Sequence, residues 1–238
     1  MHTLSTDFRR GDVISYREMC SAIDASLQRG MNFRLLADRS VILMSRRPGA
    51  PYTDEFSEDG RSITYEGHDC STAVHPIPKQ VDQPDKTPKG ALTQNGMFVQ
   101  AIQRSKQDGL PPERVMVFEK LHPGIWVYNG LFELMDVELN YASGRRVFKF
   151  KLVLCSSGDV LPLSESSSDL DEDDRVIPSW VKLEAWKRDN GRCRKCGAQN
   201  HLHFDHIIPY SKGGSSKDPS NIQILCLRHN LEKHDRIE

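Results

Sequence analysis

Two pairs of potential metal ligands lie near the C-terminus of this 238-residue chain. Cys193 and Cys196 form a C-x-x-C pair, and Cys226 and His229 form a later C-x-x-H pair. Thiolates and imidazole at these spacings are typical of tetrahedral Zn²⁺ with four protein ligands. The alternatives are a disulfide between Cys193 and Cys196, or thiols that occur at this spacing by chance. We favour structural zinc, because the second pair follows at a suitable distance and so short a module has little core of its own.

A second set of polar residues lies among these ligands and suits hydrolysis of a phosphodiester. The imidazole of His206 can act as a general base near neutral pH. Asp205 and Asn230 offer the oxygen ligands that a hard divalent cation prefers, and such a cation stabilises charge on the leaving oxygen. The pattern around them predicts a strand ending after Asp205-His206, a turn at Gly213-Gly214, a returning strand over 221–225 and a helix from Leu227 to about Arg236.

The segment from Cys193 to about Lys233 resembles the zinc-stapled branch of the HNH (ββα-metal) nuclease family. The resemblance implies that His206 is the general base and that Asp205 and Asn230 bind one catalytic Mg²⁺ or Mn²⁺ ion. It also implies that Asn221 is the middle residue of the motif, where it braces the loop and orients His206. The alternative for this segment is a zinc-stabilised DNA-binding fold without chemistry, which has no need for all four of these residues.

The third position of the motif departs from the family name, because Asn230 stands where a histidine is common. His229 competes for that role, but zinc would then lose its fourth ligand, so we assign His229 to zinc. His203 is expected on the same strand face as Asp205. We expect Lys233 to be solvated or to contact phosphate.

Short motifs are spaced along the N-terminal part of the chain. Tyr52-Thr-Asp54-Glu55 is followed by Tyr65-Glu66-Gly67-His68-Asp69, by Asp82-Gln83 and by Asn95-Gly96, and residues 124–132 follow later. Over roughly residues 35–155 this order resembles the SRA (SET- and RING-associated) domain. The resemblance implies an SRA-like (PUA-like) curved β-barrel with flanking helices that flips a modified cytosine into a pocket.

The same resemblance assigns residues to that pocket. Tyr52 and Tyr65 match the two positions that stack on the base, and Asp54 or Glu55 would accept a hydrogen bond from the cytosine N4 amino group. We prefer Asp54, whose shorter side chain suits a pocket floor. The alternatives are a tyrosine packed on a sheet edge for Tyr52 and a core strand residue for Tyr65. The nearby arginines at 46, 47 and 61 are candidate phosphate contacts.

The elements that must position these residues are of mixed type. The Ser15–Glu18 sequence fits a capping box that opens a helix running to near Gly30, and a second helix is predicted from Asn95 to about Lys106. In the C-terminal module a short helix is predicted to end at Asn190-Gly191. Asn129-Gly130 and Ser143-Gly144 are turn signals. Strands are predicted at 41–44, 62–65, 115–118, 125–128, 132–139 and 147–154. The expected class is therefore α+β, with a small zinc-stapled ββα-metal HNH domain added.

An acidic, serine-rich run divides the chain. Residues 164–174 read SESSSDLDEDD and contain six carboxylates. Such a run repels itself and buries no apolar surface, so it predicts a flexible linker over 164–175 between an SRA-like domain (1–163) and an HNH domain (176–238). The formal net charge is −1, but residues 176–238 hold eleven Lys and Arg against seven Asp and Glu. The C-terminal module is thus basic.

Together these features predict a modification-dependent DNA endonuclease that recognises 5-methylcytosine or 5-hydroxymethylcytosine in double-stranded DNA and acts in defence against foreign DNA. One such metal site cuts one strand, so double-strand cleavage predicts a homodimer or two successive events. The alternatives are a nuclease for structured or unmodified DNA, an inactive reader of modified DNA, and a PUA-like domain for another base or RNA. No apolar run approaches about 18 residues and no secretory signal is visible, so we expect a cytoplasmic protein with no membrane contact and reduced cysteines.

Overall fold

The computed structural model describes residues 8–47, 49–142, 144–155 and 177–237. It contains ten strands and four α-helices within those ranges. In chain order they are β1 (Asp12–Ser15), α1 (Tyr16–Ile23), β2 (Met31–Leu36), β3 (Arg39–Met44), β4 (Glu55–Phe56), β5 (Ser62–Glu66), α2 (Gln94–Asp108), β6 (Glu113–His122), β7 (Ile125–Ala142), β8 (Arg145–Leu154), α3 (Ser179–Arg188), β9 (Leu202–His206), β10 (Ile222–Cys226) and α4 (Leu227–Lys233). The predicted α+β class is confirmed.

All ten strands belong to one hydrogen-bonded sheet. Its main path runs β10-β9-β1-β7-β6-β3-β2, while β8 pairs with β7 and β5, and β5 pairs with β4. Strands β3 and β6 are parallel, and the other described pairs are antiparallel. The long strand β7 pairs with β1, β6 and β8 along different parts of its length. None of the described helices is long and apolar enough to cross a membrane.

The two predicted N-terminal helices are present. The Ser15 hydroxyl accepts a hydrogen bond from the Glu18 backbone N–H (3.2 Å), and the Glu18 carboxylate accepts one from the Ser15 N–H (2.8 Å), which is the predicted capping box. Helix α1 ends at Ile23 instead of near Gly30, because Asp24 adopts a left-handed conformation with φ of 53°. Helix α2 ends as predicted before Gly109.

The Asn129-Gly130 dipeptide does not form the predicted turn. Both residues lie inside β7, where Val117 pairs with Gly130 and Phe118 pairs with Tyr128, so Asn129 is the extra residue of a β-bulge. Gly130 has φ of +115°, a conformation that favours glycine. A dipeptide that accepts positive φ suits a bulge as well as a tight turn. The reversal occurs earlier, at Gly124 between β6 and β7.

The C-terminal segment shares its hydrophobic core with the N-terminal sheet. The buried side chains of this core include Val181 of α3, Phe204 of β9 and Ile224 of β10, packed with Val13 of β1 and Val127 of β7. The main chain connects the same regions, because Asp12 pairs with His203 and Val13 with Leu202. The predicted linker at 164–175 lies outside the described residues, and the predicted domain boundaries stay predictions.

Candidate nuclease site and base cavity

The four predicted zinc ligands converge at one point. Their ligand atoms all lie within 4.8 Å of one another in the cluster of Cys193, Cys196, Cys226 and His229. The Nδ1 atom of His229 lies 3.4 Å from the Cys193 sulfur and 3.3 Å from the Cys226 sulfur, and the sulfurs of Cys196 and Cys226 are 3.8 Å apart. Tetrahedral zinc with Zn–S bonds of about 2.3 Å requires ligand separations of this size. The donor set therefore fits a zinc ion with four protein ligands.

Local backbone geometry presents these ligands. The Cys193 N–H donates to the Ala198 carbonyl and the Gly197 N–H donates to the Cys193 carbonyl (both 2.8 Å), which closes a tight turn. Cys226 ends β10 and forms the N-cap of α4, so His229 follows on the first turn of that helix. Burial raises the pKa of the Cys193 thiol, but hydrogen bonds from the backbone at Cys226, Cys196 and Lys195 outweigh it and lower the pKa to about 6. A thiolate is the form that binds metal.

Asp205 and His206 end strand β9, as predicted, and a buried lysine holds both. The Lys233 ammonium lies 3.0 Å from Asp205 Oδ2 and donates to the backbone carbonyl of His206 (2.7 Å). Gln223 of the neighbouring strand also donates to Asp205 Oδ2 (3.3 Å). The Lys233 side chain is 1% exposed, so the expectation that it is solvated or contacts phosphate is wrong. It is buried because α4 packs against β9 and turns this residue inward.

The spacing between His229 and Lys233 in the sequence could have predicted that Lys233 is buried. Lys233 follows His229 by one helical turn, so the two share a helix face. His229 is buried, whereas Arg228, Leu231 and Glu232 are exposed. A zinc ligand that faces inward therefore implies that the residue four positions later faces inward too.

The loop between β9 and β10 places the hydroxyl of Ser216 beside His206. His206 Nε2 and Ser216 Oγ lie 2.9 Å apart in a hydrogen bond, and Ser216 is buried. Sequence reasoning missed Ser216, because serines near a Gly-Gly turn are common and carry no distinctive spacing. The contact restricts rotation of the imidazole.

Asn221 braces this loop, as the family resemblance implied. Its Oδ1 accepts from the Ile208 N–H (2.8 Å), and its Nδ2 donates to the carbonyls of Ile208 and Ser215 (both 3.1 Å). Gly214 lies against the same backbone, and a Cβ there would approach the Ile208 carbonyl oxygen to 1.8 Å. The loop therefore needs both the asparagine and a glycine to bring Ser216 to His206.

The structure also places the other histidine and asparagine candidates. His229 lies in the Cys/His cluster. Asn230 is half-buried on α4, the helix that packs against β9 and also carries Lys233. His203 Nδ1 lies 2.9 Å from an Asp12 carboxylate oxygen, so it joins β9 to β1.

A separate cavity of about 560 Å³, here called the base cavity, opens beside β3 and the segment that follows it. Tyr52, Asp54 and His68 contribute to its lining. The Tyr52 ring stacks on the His68 imidazole, with centroids 5.1 Å apart and planes 10° apart. The Lys79 ammonium lies 4.2 Å from the centroid of the Tyr52 ring. The cavity thus has an aromatic face formed by Tyr52 and His68.

The two candidate carboxylates differ in position. Asp54 is 8% exposed and lines the base cavity. Its oxygens accept from the backbone N–H groups of Glu66 (3.0 Å) and Ser45 (3.4 Å), and burial raises its pKa to about 6. Glu55 is exposed on β4, where it pairs with Thr64. Of the two, only Asp54 lines the base cavity.

Tyr65 does not line the base cavity. It is 1% exposed and packs in the main core, as the alternative of a core strand residue anticipated. It reaches the cavity wall through its hydroxyl, 3.0 Å from His68 Nε2. His68, which sequence reasoning did not select, is the ring that faces Tyr52. Burial lowers the pKa of His68 to about 4, so its imidazole is neutral near pH 7.

The side chains of Asn95 and Gln83 fix the backbone around His68. Asn95 accepts from the His68 N–H (2.9 Å) and donates to the His68 carbonyl (2.8 Å). Gln83 donates to the Gly67 carbonyl (2.6 Å) and accepts from the Phe148 N–H (2.8 Å). The His68 backbone is therefore held by side chains from two other segments.

The C-terminal geometry agrees with a family match. The model of the HNH endonuclease family matches residues 193–236. These residues are an HNH endonuclease domain. The match covers the Cys/His cluster, Asp205, His206, Asn221 and Asn230, and it confirms the predicted class of enzyme.

Several solved structures are similar to larger parts of the chain. The SRA domain of SUVH5 with hemimethylated CG DNA is 22% identical over 66% of this chain and 94% of that one, with a TM-score of 0.45. The same domain with fully hydroxymethylated CG DNA is 21% identical over 65% and 94%, with a TM-score of 0.44. The modification-dependent TagI restriction endonuclease is 19% identical over 94% of this chain and 76% of that one, with a TM-score of 0.40. No curated protein is significantly similar to this chain.

Proposed function

We propose that this protein is a DNA endonuclease that recognises a modified cytosine, 5-methylcytosine or 5-hydroxymethylcytosine, and hydrolyses a nearby phosphodiester bond. One observation carries the proposal. A single sheet joins the HNH domain, with Asp205-His206 on β9, to a cavity of about 560 Å³ lined by an aromatic face and a buried carboxylate. Nucleases of this kind contribute little sequence choice, so the attached cavity supplies the target.

In the nuclease site, His206 takes a proton from the attacking water. Its hydrogen bond to Ser216 fixes the ring, and Asn221 fixes the loop that presents Ser216. Lys233 and Gln223 both bond Oδ2 of Asp205, so we assign Oδ1, together with the Asn230 amide oxygen, to a divalent cation. Mg²⁺ or Mn²⁺ bound there supplies stabilisation of the charge that develops on the phosphate and the leaving oxygen. Cys193, Cys196, Cys226 and His229 would hold a structural Zn²⁺, which would fix the start of α4 against the turn at Cys193–Cys196.

In the base cavity, Tyr52 offers its face to a flipped cytosine and Asp54 accepts from the N4 amino group. A cavity of about 560 Å³ falls in the range that holds small ligands. His68 now stacks on Tyr52, so entry of a base requires this imidazole to move away or to become the second stacking ring. This assignment gives His68 the place that the family resemblance gave Tyr65.

Cleavage by the HNH domain is tested with two histidine variants. We expect His206→Ala to lower the rate of plasmid nicking in Mg²⁺ or Mn²⁺ by about 10²–10⁴-fold, the usual contribution of a general base. His234→Ala removes an exposed histidine of the same domain and should cleave normally. A His206→Ala protein that nicks at the normal rate would exclude His206 as the base.

Recognition of the base is tested by DNA binding. The parent protein in this experiment carries His206→Ala, which prevents cleavage of the DNA. We expect tighter binding to a duplex with one 5-methylcytosine or 5-hydroxymethylcytosine than to the same duplex with cytosine. Asp54→Asn should remove most of that preference and Glu55→Gln should keep it, because only the first residue lines the base cavity. Equal binding of all three duplexes by the parent would favour a nuclease for structured or unmodified DNA. Preferential binding by a wild-type protein that never cleaves would favour an inactive reader.

The proposed role is defence against foreign DNA with modified cytosine, carried out in the cytoplasm. Each chain has one HNH domain, so a double-strand break needs a homodimer or two successive nicks. The order in which nicked and linear plasmid appear over time, measured at several protein concentrations, distinguishes these two routes.

A further inference from the structure

A second cavity, here called the junction cavity, lies where α3 and the β9–β10 loop meet the N-terminal sheet. Its volume is about 380 Å³. Four separate segments each contribute one cation to its lining, namely Arg10, Arg46, Lys182 and Lys217. Glu58 is the one acidic side chain among the described residues that line it. Cations that converge on one cavity favour the binding of an anion there.

Lys182 shows how close these cations are to one another. Its side chain is almost fully buried and donates to the Asn129 side-chain oxygen (2.7 Å). Burial is the main cause that lowers the pKa of Lys182 to about 8; Glu119 opposes this shift, and the positive charges of Arg10 and Arg46 add to it. A bound anion would reverse the contribution of the arginines.

Aromatic rings accompany the cations. Trp180 of α3 lines the junction cavity and is 54% exposed. The Arg46 guanidinium lies 5.5 Å from the centroid of the Phe56 ring, which lines the same cavity. Cations beside an exposed indole are the combination that proteins use to hold the backbone and bases of a nucleic-acid strand.

The junction cavity lies between the two sites described above. Arg46 lines it, while its chain neighbours Ser45 and Arg47 line the base cavity. Lys217 also lines it and directly follows Ser216, the partner of His206. A strand that passes from the base cavity to His206 would therefore cross these cations.

We propose that the junction cavity binds phosphodiester groups of the DNA strand that connects the recognised base to the bond that is cut. The assignment of the bound ligand as the cleaved DNA strand rests on the proposed function. Phosphate binding in the junction cavity can be tested without reference to base modification. Each phosphate that a cation neutralises contributes about 0.9 to the slope of log affinity against log salt concentration.

The test compares two charge-removing double variants in the His206→Ala protein. Arg46→Gln with Lys217→Gln removes two exposed cations of the junction cavity, and Arg104→Gln with Lys89→Gln removes two exposed cations elsewhere. Binding to matched duplexes with and without 5-methylcytosine is measured between about 50 and 200 mM salt, the range over which phosphate contacts change affinity strongly. Equal melting temperatures establish that both variants are folded.

We expect the first variant to lower the salt slope by about 1.8 on both duplexes, with the ratio of the two affinities unchanged. The second variant should keep the parent slope. An unchanged slope in the first variant, or an equal fall in both, would overturn the proposal. If the parent protein itself binds both duplexes equally, the proposal of base recognition is wrong. The change in salt slope still shows whether the junction cavity binds DNA phosphates.

A small anion is the competing ligand for this cavity. Inorganic phosphate and deoxycytidine monophosphate are titrated against the melting temperature of the parent protein without DNA. Saturable stabilisation that the Arg46/Lys217 variant loses, combined with an unchanged salt slope on DNA, would assign the cavity to a free phosphate ester and would overturn the proposal. Absence of such stabilisation, together with the lowered slope, supports DNA backbone.

Discussion

At the residue scale, the nuclease site depends on the buried ammonium of Lys233, four residues after the proposed zinc ligand His229. Lys233 holds the Asp205 carboxylate and the His206 carbonyl at once, so it fixes the end of β9 relative to α4. A buried cation needs partners of this kind, because an unpaired charge away from water is strongly unfavourable. The proposed cation ligand and the proposed base are therefore positioned by the same side chain.

We expect Lys233→Met to lower the free energy of unfolding of the HNH domain by about 2–3 kcal/mol, because Asp205 loses its buried partner. Cleavage should fall as well. Lys187→Met removes an exposed lysine with a surface ion pair and should change stability by less than about 0.5 kcal/mol. Thermal and denaturant unfolding of the three proteins checks this, and equal stability of the two variants would contradict the role of Lys233.

The buried carboxylate of Asp54 should produce opposite pH effects on stability and binding. Burial raises its pKa in the folded protein to about 6 from an ordinary 3.8, so the folded state binds more protons between these values. Stability should therefore decline as pH rises from about 4 to about 6. Binding of modified cytosine should strengthen over pH 5 to 7, because ionised Asp54 accepts a stronger hydrogen bond from N4.

The matched variant for this prediction is Asp54→Asn, which has no titration at this position. Its affinity for a duplex with 5-methylcytosine, measured in the His206→Ala protein, should vary less across pH 5 to 7 than that of the parent. His68 should not contribute in this range, because its pKa is lowered to about 4 by burial. Identical pH profiles for the two proteins would exclude Asp54 as the source of the effect.

At the element scale, the ββα unit is assembled from short pieces that metal ligands and loop contacts connect. Strands β9 and β10 have five residues each and α4 has seven. An isolated helix of this length is not stable in water. The Cys/His cluster attaches the start of α4 to the Cys193–Cys196 turn, and Asn221 holds the intervening loop.

We expect one zinc ion per chain, and we expect Cys196→Ser to lose both the zinc and the cleavage activity. Cys70→Ser alters a thiol outside the cluster and should keep both. Metal analysis and plasmid nicking measure the two outcomes. After treatment with a chelator, Zn²⁺ with Mg²⁺ should restore cleavage where Mg²⁺ alone does not. A Cys196→Ser protein with normal zinc content would contradict the proposed ligand set.

Much of the nuclease site was predictable from sequence, because metal ligation and proton transfer restrict both residue type and spacing. Lys233, Ser216 and Gln223 were not predicted, since their contacts arise only when α4, the loop and β10 pack around β9. The base cavity was less predictable. Tyr52 and Asp54 line it, but a tyrosine on a strand can face either side, and Tyr65 faces the core.

Secondary structure was likewise predictable where local residues determine it, and not where packing against distant segments does. The capping box at Ser15–Glu18 predicted the start of α1 correctly, because a cap acts within a few residues. The bulge at Asn129-Gly130 was predicted as a turn, because the choice depends on the partner strand β6 and not on the dipeptide. The pairing of β1 with β9 was also beyond local patterns, since these strands are far apart in sequence.

At the scale of the whole molecule, strand β9, which carries the proposed catalytic residues, is part of the sheet beside which the base cavity opens. Strand β9 pairs with β1, His203 contacts Asp12, and one hydrophobic core includes side chains from both parts of the chain. The distance between the recognised base and the cut bond should therefore be set by this sheet. The acidic segment at 164–175 would then have little influence on it.

We expect that six extra glycine and serine residues inserted in segment 164–175 leave the cut positions unchanged on a duplex with one modified cytosine. High-resolution mapping of the cut ends measures this. A wider spread or a shift of the cuts in the longer protein would show instead that the segment sets the distance. Wild-type protein without the insertion, tested on the same duplex, is the control.

Cleavage of one duplex sequence that carries cytosine, 5-methylcytosine or 5-hydroxymethylcytosine at a single position tests the central claim most directly. The rates are measured with excess wild-type protein in Mg²⁺ and in Mn²⁺, beside His206→Ala. We expect fast cutting of at least one modified duplex at a fixed distance from the modified base, little cutting of the cytosine duplex, and none by the variant. Equal rates on all three duplexes would contradict it, because the nuclease would then act without the base cavity.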